Sequence, residues 1–321
     1  MIYQNATEIV HDDVFLSLPA FLPGSDVFLK IEGLNPASSI KFKAAINLVE
    51  QAEKAGTLVP GMNRIVESSS GNLGIALSIV CAIKGYPLTI VADLNTVESA
   101  VLAMEALGAD VVVIEEPDAN GGFLHKRLAF VDDMLKADPY LVWLNQYKSR
   151  ANVEAHKDTT ALSIDREFGP IDYLFVGVGT SGTLMGCLEY RRENRLSHHV
   201  VGVDAEGSVT FGGSSKRRYI PGLGSSRLPE IYSDDGSFRK VLVPEHESVA
   251  QCHHVARAYG LLVGGSTGTV LAGVRRMRDE IPAGSRVVAI SPDLGDKYLS
   301  TIYSEQWLND HPTLIKELSN V

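Results

Sequence analysis

Three stretches of this sequence place glycine, hydroxyl and amide groups just ahead of a segment that looks helical. They are Glu67–Gly74 (ESSSGNLG), Gly177–Gly182 (GVGTSG) and Gly264–Gly268 (GGSTG). Glycine lets the backbone approach a ligand closely, and a helix N-terminus offers free N–H groups and a positive dipole end to an anion. The second stretch therefore predicts a phosphate site and the first a carboxylate site. The third, taken alone, indicates only a turn.

The glycines of the second stretch also fit a dinucleotide-binding pattern. Gly177, Gly179 and Gly182 match G-x-G-x-x-G after the apolar run Tyr173–Val176, and Asp204 follows about 20 residues later. This pattern is typical of nicotinamide-dependent dehydrogenases. What the motif recognises physically is a phosphate, however, and many ligands carry one.

A lysine at the start of a predicted helix is the second chemical signal. Lys41 ends the small polar run Asn35–Ile40 (NPASSI). The positive end of a helix dipole disfavours a protonated amine. A neutral lysine can form a Schiff base or accept a proton, so Lys41 is a candidate for that chemistry. The alternative is an ordinary surface lysine. A dehydrogenase would leave both Lys41 and the Ser69–Asn72 stretch without a role.

The elements that must position these residues alternate along the chain. The predicted strands are Val27–Ile31, Arg64–Val66, Leu88–Val91, Val111–Ile114, Leu174–Val176, Val200–Val203 and Val287–Ile290. The predicted helices are Ala44–Ala55, Ile75–Lys84, Ser99–Leu107 and Val270–Ile281, and Gly56, Gly85 and Gly108 follow three of them as stop signals. Short apolar strands that alternate with helices predict an α/β fold with mainly parallel sheets.

Composition excludes several classes of function. The chain has 321 residues, 45% hydrophobic and 21% charged, with a formal net charge of −10. An acidic protein is a poor partner for nucleic acid or an anionic membrane, so neither is expected. The three cysteines and nine histidines show no metal-ligand spacing, so no metal is expected. No secretory signal or long apolar run is visible, and we expect a cytoplasmic protein.

The three stretches and Lys41, in this order and at these intervals, resemble the fold-type II pyridoxal-phosphate enzymes. The nearest group is the cysteine synthase and cystathionine β-synthase family, and the resemblance extends to Gly295–Ser300. It implies two α/β domains, a homodimer and pyridoxal 5'-phosphate as the cofactor. It also implies a small mobile domain, residues 12–33 and 68–150, that closes on the amino acid. Residues 1–11, 34–67 and 151–321 would then form the large cofactor-binding domain.

The resemblance also assigns roles residue by residue. Lys41 would bind the cofactor as a Schiff base and act as the catalytic base, and Asn72 would hydrogen-bond the cofactor's phenolic oxygen. Ser266 would be the partner of the pyridine nitrogen. The phosphate cup would be Gly179, Thr180, Ser181, Gly182 and Thr183. The amino-acid carboxylate would be held by Ser69, Ser70 and Gln146.

Two positions depart from the family's pattern. The lysine motif usually continues Asp-Arg, but here Phe42-Lys43 follow Lys41, and Leu73 stands where the carboxylate loop usually carries threonine. Because Leu73 has no hydroxyl, it cannot supply that contact to the substrate. The contacts that hold the substrate's carboxylate should therefore differ from those of a simple cysteine synthase.

Further segments resemble the branch that starts 2,3-diaminopropionate biosynthesis, the staphyloferrin-type N-(2-amino-2-carboxyethyl)-L-glutamate synthases. They are Glu115–Leu124 with Arg127, Trp143–Tyr147 and Pro221–Pro229. Arg127, Tyr147 and Arg227 are candidate contacts for a second, dicarboxylic substrate, since arginine grips carboxylates with paired hydrogen bonds. Each of the three could instead be structural or solvated.

The implied activity is β-replacement by a transferase of the EC 2.5.1 type. Activated L-serine, either O-phospho-L-serine or O-acetyl-L-serine, would react through an aminoacrylate, with the amine of L-glutamate as nucleophile. The product would serve 2,3-diaminopropionate, siderophore or antibiotic biosynthesis. The alternative enzyme is an O-acetylserine sulfhydrylase. A catalytically idle relative is a third possibility, against which the presence of Lys41, Asn72 and Ser266 argues.

Overall fold

A computed structural model describes residues 2–118 and 122–315. The chain divides into two compact units, and each has its own sheet. Unit 1 comprises Met1–Val10 and Asn35–Ala155, and unit 2 comprises His11–Leu34 and His156–Val321. The two α/β units with mainly parallel sheets confirm the predicted fold class.

Unit 1 is built on a four-stranded, fully parallel sheet. Its strands are β3 (Arg64–Ser68), β4 (Leu88–Asp93), β5 (Asp110–Ile114) and β6 (Leu141–Trp143), in the order β5-β4-β3-β6. Its helices are α1 (Lys41–Lys54), α2 (Asn72–Lys84), α3 (Glu98–Ala106), α4 (Leu124–Ala137) and α5 (Arg150–Ala155). Apolar side chains of α1 and α2, such as Leu48 and Leu77, pack with Ile65 and Ile90 of the sheet.

Unit 2 is built on a six-stranded sheet in the order β1-β2-β10-β7-β8-β9. The strands are β1 (Phe15–Ser17), β2 (Asp26–Ile31), β7 (Tyr173–Gly177), β8 (His199–Ala205), β9 (Arg239–Val243) and β10 (Arg286–Ser291). The helices are α6 (Leu162–Phe168), α7 (Gly182–Glu193), α8 (Glu245–Tyr259), α9 (Gly265–Arg276) and α10 (Glu305–Asn309), and π-helical residues His156–Ala161 precede α6. All strand pairs are parallel except the edge pair β1 and β2.

The buried faces of the strands explain why both sheets are parallel and covered. In β7 the central residues Leu174, Phe175 and Val176 are all buried, as are Val287, Val288 and Ala289 in β10. Consecutive residues of a strand point to opposite faces, so both faces of these strands are covered. The seven predicted strands all form, with ends shifted by one or two residues.

Local stop signals were predicted well, whereas short edge elements were not predicted. Gly56, Gly85 and Gly108 all have positive φ immediately after α1, α2 and α3, which confirms them as helix ends. Strands β1, β6 and β9 were absent from the prediction. β1 and β6 have only three residues each, and β9 begins with Arg239 and Lys240, which leaves only three apolar residues.

Residues 12–33, predicted as part of the small domain together with residues 68–150, belong to unit 2 in the structure, whereas residues 68–150 belong to unit 1. Strand β2 lies within residues 12–33, and it pairs in parallel with β10 over six residues, from Asp26 with Arg286 to Ile31 with Ser291. That pairing joins segments about 260 residues apart and places this segment in unit 2. Residues 34–67, predicted with the large domain, supply α1 and β3 to unit 1 from Asn35 onward. Periodicity within each segment carries no information about such pairing.

The packing of α8 on α9 depends on one glycine. A Cβ added at Gly268 of α9 would lie 2.1 Å from the backbone oxygen of Ser248 and 2.6 Å from the Sγ of Cys252, both on α8. Because a backbone oxygen cannot rotate away as a side chain can, the two helices would have to separate.

Gly268→Ala is expected to lower the free energy of unfolding by about 2 kcal/mol or more, because overpacking of a fixed backbone is costly. Urea denaturation followed by circular dichroism measures this loss. Gly61→Ala is the control, since Gly61 has positive φ but open space around it. That control should cost only about 1 kcal/mol of backbone strain. Equal losses in the two variants would contradict the packing argument.

Candidate active site

The loop Ser69–Gly71 and the start of α2 form a polar edge in unit 1. Asn72 is the first residue of α2, and Lys41 is the first residue of α1. Both are partly exposed, and both lie at a helix N-terminus, where free N–H groups and the dipole favour an anion. The prediction that Lys41 begins a helix is confirmed by this placement.

Ser69 holds the loop together through its own hydroxyl. Its Oγ accepts hydrogen bonds from the backbone N–H of Gly74 at 2.9 Å and of Gly71 at 3.4 Å. Ser69 is buried, whereas Ser70 is exposed at the tip of the loop. Ser69 therefore shapes the α2 N-terminus, and Ser70 presents its side chain outward.

Leu73, the residue that departs from the family's pattern, belongs to the core of unit 1. It is 2% exposed and packs in the cluster that contains Phe42, Ala45 and Leu77. Its side chain therefore packs the first turn of α2 into the core of unit 1 and does not line the Ser69–Gly71 loop.

Gln146 lies beside the same loop. It is 5% exposed, and its Nε2 lies 3.5 Å from the carbonyl oxygen of Ser68. The backbone carbonyl of Gln146 accepts a hydrogen bond of 2.8 Å from Nδ2 of Asn152, and this bond fixes the turn after β6. Tyr147 follows in this turn, and burial raises the pKa of its phenol, while nearby Arg127 opposes that rise.

Arg127 is a buried cation in the first turn of α4. It is 7% exposed, and its Nε lies 3.1 Å from Oδ2 of Asp93, at the end of β4. This burial excludes the interpretation of Arg127 as a solvated surface residue. Arg127 can be either a structural residue paired with Asp93 or a substrate contact. Arg227 differs, because its side chain is half exposed and bonded to Glu230 at 3.3 Å. Residues 119–121 of the Glu115–Leu124 segment lie outside the described residues.

The predicted phosphate cup surrounds the N-terminus of α7 in unit 2. Gly182 begins the helix, and Ser181 precedes it with φ of 72° and 2% exposure. Its Oγ is buried and has no hydrogen-bond partner among the described residues. Such an orphaned hydroxyl is what a bound anion would satisfy. The part-exposed Thr183 follows in the first turn, and Thr180 is buried.

Close backbone packing explains the need for glycine at position 179. A Cβ at Gly179 would lie 2.9 Å from the carbonyl oxygen of Gly222. Gly222 belongs to the long segment between β8 and β9, and its own Cβ would lie 3.3 Å from the Cβ of Ser266. The Pro221–Pro229 segment therefore packs against two predicted cofactor residues within unit 2.

Ser266 lies in the first turn of α9, and a buried acid contacts it. Ser266 is 3% exposed, and its Oγ lies 3.3 Å from Oδ1 of Asp293. Tyr298 donates a hydrogen bond of 2.6 Å to Oδ2 of the same carboxylate. The stretch at Gly264–Gly268 is thus the start of a helix rather than a turn ahead of one, and α9 begins five residues before the predicted start.

Asp204 is the penultimate residue of β8 and is fully buried, whereas a ribose contact needs an exposed carboxylate. Its Oδ1 accepts a hydrogen bond of 2.7 Å from the backbone N–H of Ala205. Burial raises its pKa to about 6, while Ser208, Ala205, Arg218 and Gly224 oppose the rise. It therefore takes part in the internal packing of unit 2.

Two buried acids lie next to the predicted site residues: Glu67, which opens the Glu67–Gly74 stretch but received no role from the sequence, and Asp293, which no predicted motif includes. Glu67 stands one residue before the Ser68-Ser69 pair at the end of β3, and Asp293 follows β10. The signal for both was an acidic residue at the carboxyl end of an apolar strand, a position that parallel sheets use for function.

Comparison with known proteins identifies the family. The model of the pyridoxal-phosphate dependent enzyme family matches residues 15–293. The chain belongs to that family. It is therefore an enzyme that depends on pyridoxal phosphate, as the sequence predicted.

Solved structures of family members resemble the chain along nearly its whole length. O-ureido-L-serine synthase has 27% identity and a TM-score of 0.86, covering 96% of this chain and 100% of that chain. Cysteine synthase from Entamoeba histolytica has 29% identity and a TM-score of 0.87, with coverages of 98% and 96%. O-acetylserine dependent cystathionine beta-synthase from Helicobacter pylori has 26% identity and a TM-score of 0.87, with coverages of 95% and 100%.

The residues present fit the family's cofactor. The Ser181 hydroxyl, which has no hydrogen-bond partner among the described residues and precedes a 12-residue helix, suits a phosphate. At Gly179 the backbone of Gly222 is too close for any side chain, so only glycine fits there. Among the described residues, no group of three or more histidine, cysteine, aspartate or glutamate side chains could hold a metal ion. No helix in the same residues is long and apolar enough to cross a membrane.

Asp204 generates a prediction about pH. Its folded pKa is raised from 3.8 to about 6, so folding favours the protonated form. Its contribution to stability is complete below about pH 4 and is lost as pH rises through about 6. Between these limits, the free energy of unfolding of the wild type should fall by roughly 1–3 kcal/mol relative to that of Asp204→Asn.

Urea denaturation of both proteins at several pH values, with excess cofactor, measures this difference. Asp279→Asn, at a highly exposed aspartate, is the control and should follow the wild type. A constant difference between wild type and Asp204→Asn across the whole range would show that Asp204 titrates normally in the folded protein.

Proposed function

We propose that this enzyme catalyses β-replacement on an activated L-serine, with the amine of L-glutamate as nucleophile. The product would be N-(2-amino-2-carboxyethyl)-L-glutamate, and the displaced group would be phosphate or acetate. The observation that carries the choice of nucleophile is the buried Arg127 at the same sheet edge as the Ser69 loop. A fixed guanidinium there suits a substrate with more carboxylates than serine has.

The neighbours support the class of reaction. Their names describe a cysteine synthase, an O-ureido-L-serine synthase and an O-acetylserine dependent cystathionine beta-synthase. These products carry different groups on the β-carbon of an amino acid, so similar folds serve different nucleophiles. Residues outside the cofactor-binding motifs must then select the nucleophile.

Lys41 would act as the base. When bound, pyridoxal phosphate withdraws electrons from the substrate's Cα and so makes its C–H bond acidic. Lys41 would tether the cofactor, accept the Cα proton as a neutral amine and later return it to Cα. The C–O bond at Cβ breaks with its electron pair leaving on the phosphate or acetate. The incoming amine then forms a C–N bond to Cβ and loses one proton.

The remaining site residues would bind and orient. The α2 N-terminus with Ser69, Ser70 and Gln146 would hold the carboxylate of the activated serine, and Asn72 would bond the cofactor's phenolic oxygen. The α7 N-terminus, from Gly179 to Thr183, would hold the phosphate. Ser266 would contact the pyridine nitrogen, with its hydroxyl oriented by the nearby Asp293 carboxylate.

Product analysis tests this function directly. Purified enzyme is incubated with O-phospho-L-serine or O-acetyl-L-serine, together with L-glutamate or sulfide, and the products are identified by mass spectrometry. We expect a secondary amine from glutamate. Lys41→Ala is the control and should abolish turnover while the protein stays folded, because the variant lacks both tether and base. Efficient cysteine formation from sulfide without any amine product would instead identify an O-acetylserine sulfhydrylase.

Arg227 offers a sharper test of the second substrate, since its half-exposed side chain can be removed without unfolding the protein. Arg227→Ala is expected to raise KM for glutamate by roughly 10- to 150-fold, the equivalent of about 1.5–3 kcal/mol for a charged hydrogen bond. KM for the activated serine should change little. Steady-state kinetics with each substrate varied measures both values.

The matched control is Arg278→Ala, another exposed arginine with an acidic neighbour, which should leave both KM values unchanged. If Arg227→Ala leaves KM for glutamate at the wild-type value, Arg227 takes no part in binding it. Arg127→Lys complements the experiment: lysine keeps the charge opposite Asp93 but loses the paired hydrogen bonds of a guanidinium.

A further inference from the structure

Glu67 is a fully buried carboxylate between two segments of the site in unit 1. It is the penultimate residue of β3 and is 0% exposed. Its Oε1 accepts hydrogen bonds from the backbone N–H of Ser68 at 2.9 Å and from Nε1 of Trp143 at 3.0 Å. The backbone N–H groups of Asn145 and Gln146 also favour its ionised form. One carboxylate thus links the end of β3 to the turn after β6.

The Ser68 peptide is held on both sides by these two segments. Glu67 binds its N–H group, while Nε2 of Gln146 lies 3.5 Å from its carbonyl oxygen. The next residue is Ser69, whose hydroxyl caps the start of α2. A change in the Ser68 peptide is therefore passed directly to the loop that precedes Asn72.

The surroundings of Glu67 contain donors but no counter-charge. Among the described residues, no ion pair to Glu67 is formed. Tyr147, in the turn after β6, is the titratable group whose pKa the charge of Glu67 affects, and Arg127 on α4 and Asp93 on β4 act on the same phenol. Arg127 is engaged by Asp93, so the charge of Glu67 is stabilised by hydrogen bonds alone.

We propose that Glu67 is a positioning residue, whose negative charge holds the Ser68–Asn72 segment in the conformation that binds the amino-acid carboxylate. This inference rests on the proposed function only in assigning that carboxylate to the loop. Burial raises the pKa of Glu67 to about 7, against the opposing effect of its donors. The carboxylate therefore changes charge near neutral pH, and the loop responds to that change.

The direction of the response follows from the geometry. A proton on Glu67 would occupy Oε2, the buried oxygen that accepts neither the Ser68 nor the Trp143 hydrogen bond. Oε1 would then accept from Ser68 and Trp143 as a neutral oxygen, and such bonds are about half as strong as those of a carboxylate. Acidification below about pH 7 should thus loosen the loop and weaken substrate binding.

Trp143 provides a direct reporter of this charge, because its indole N–H bonds Glu67. The chain has two tryptophans, and the second, Trp307, stacks on His311 at 4.4 Å, so it could report a histidine titration instead. In a Trp307→Phe background of the holoenzyme, Trp143 emission should titrate with a midpoint near pH 7. Glu67→Gln in the same background should abolish that titration.

Kinetics then tests the effect on the loop. KM for the activated serine should rise roughly three- to tenfold in the wild type between about pH 8 and pH 6, beyond the change seen in Glu67→Gln. In Glu67→Gln, KM should be raised at both values and kcat should change less. Glu53→Gln is the matched control, a partly exposed glutamate of the same unit that pairs with Lys84. It should keep the wild-type profile.

The results separate this inference from the proposed function. Without any substrate turnover, the Trp143 titration still reports the charge of Glu67, so failure of the function leaves that measurement intact. A flat Trp143 emission, or a titration that persists in Glu67→Gln, would overturn the inference. So would a Glu67→Gln enzyme that folds normally and shows the wild-type dependence of KM on pH.

Discussion

Parallel strand pairing determines where chemistry is possible in this protein. In a parallel sheet the carboxyl ends of the strands meet at one edge, and the helices that follow begin there with their positive dipole ends. In unit 1 this edge brings together Ser68 and Asp93, which end β3 and β4, with the turn after β6. In unit 2 it brings together the α7 N-terminus after β7, Asp204 and Asp293. Each unit thus concentrates polar groups at one edge of an otherwise apolar sheet.

The same edge concentrates buried acids, which do not favour folding at neutral pH. Burial raises the pKa of Glu67 to about 7 and that of Asp204 to about 6. A carboxyl group that is held ionised in the interior lowers stability and survives only where neighbouring donors compensate. Glu67 has such donors in Ser68 and Trp143. The acids therefore order loops at the expense of some stability.

Tight backbone contacts give the cofactor-binding region of unit 2 its shape. Gly179 approaches Gly222, and Gly222 approaches Ser266, so three segments distant in sequence meet without side chains between them. Such contacts leave the N-terminal N–H groups of α7 accessible to an anion. Leu73, in contrast, packs in the core of unit 1, outside this region.

Sequence by itself determined the family, the cofactor and the class of fold, because these depend on local signals. Strand and helix periodicity, glycines at helix ends and short motifs such as GTSG are readable within a few residues of chain. Only the tertiary structure decided that β2 pairs with β10 and that Arg127 lies opposite Asp93. It also decided that Leu73 is core and that Glu67 accepts a hydrogen bond from Trp143. These contacts join residues far apart in sequence, and their energies depend on burial, which no local pattern encodes.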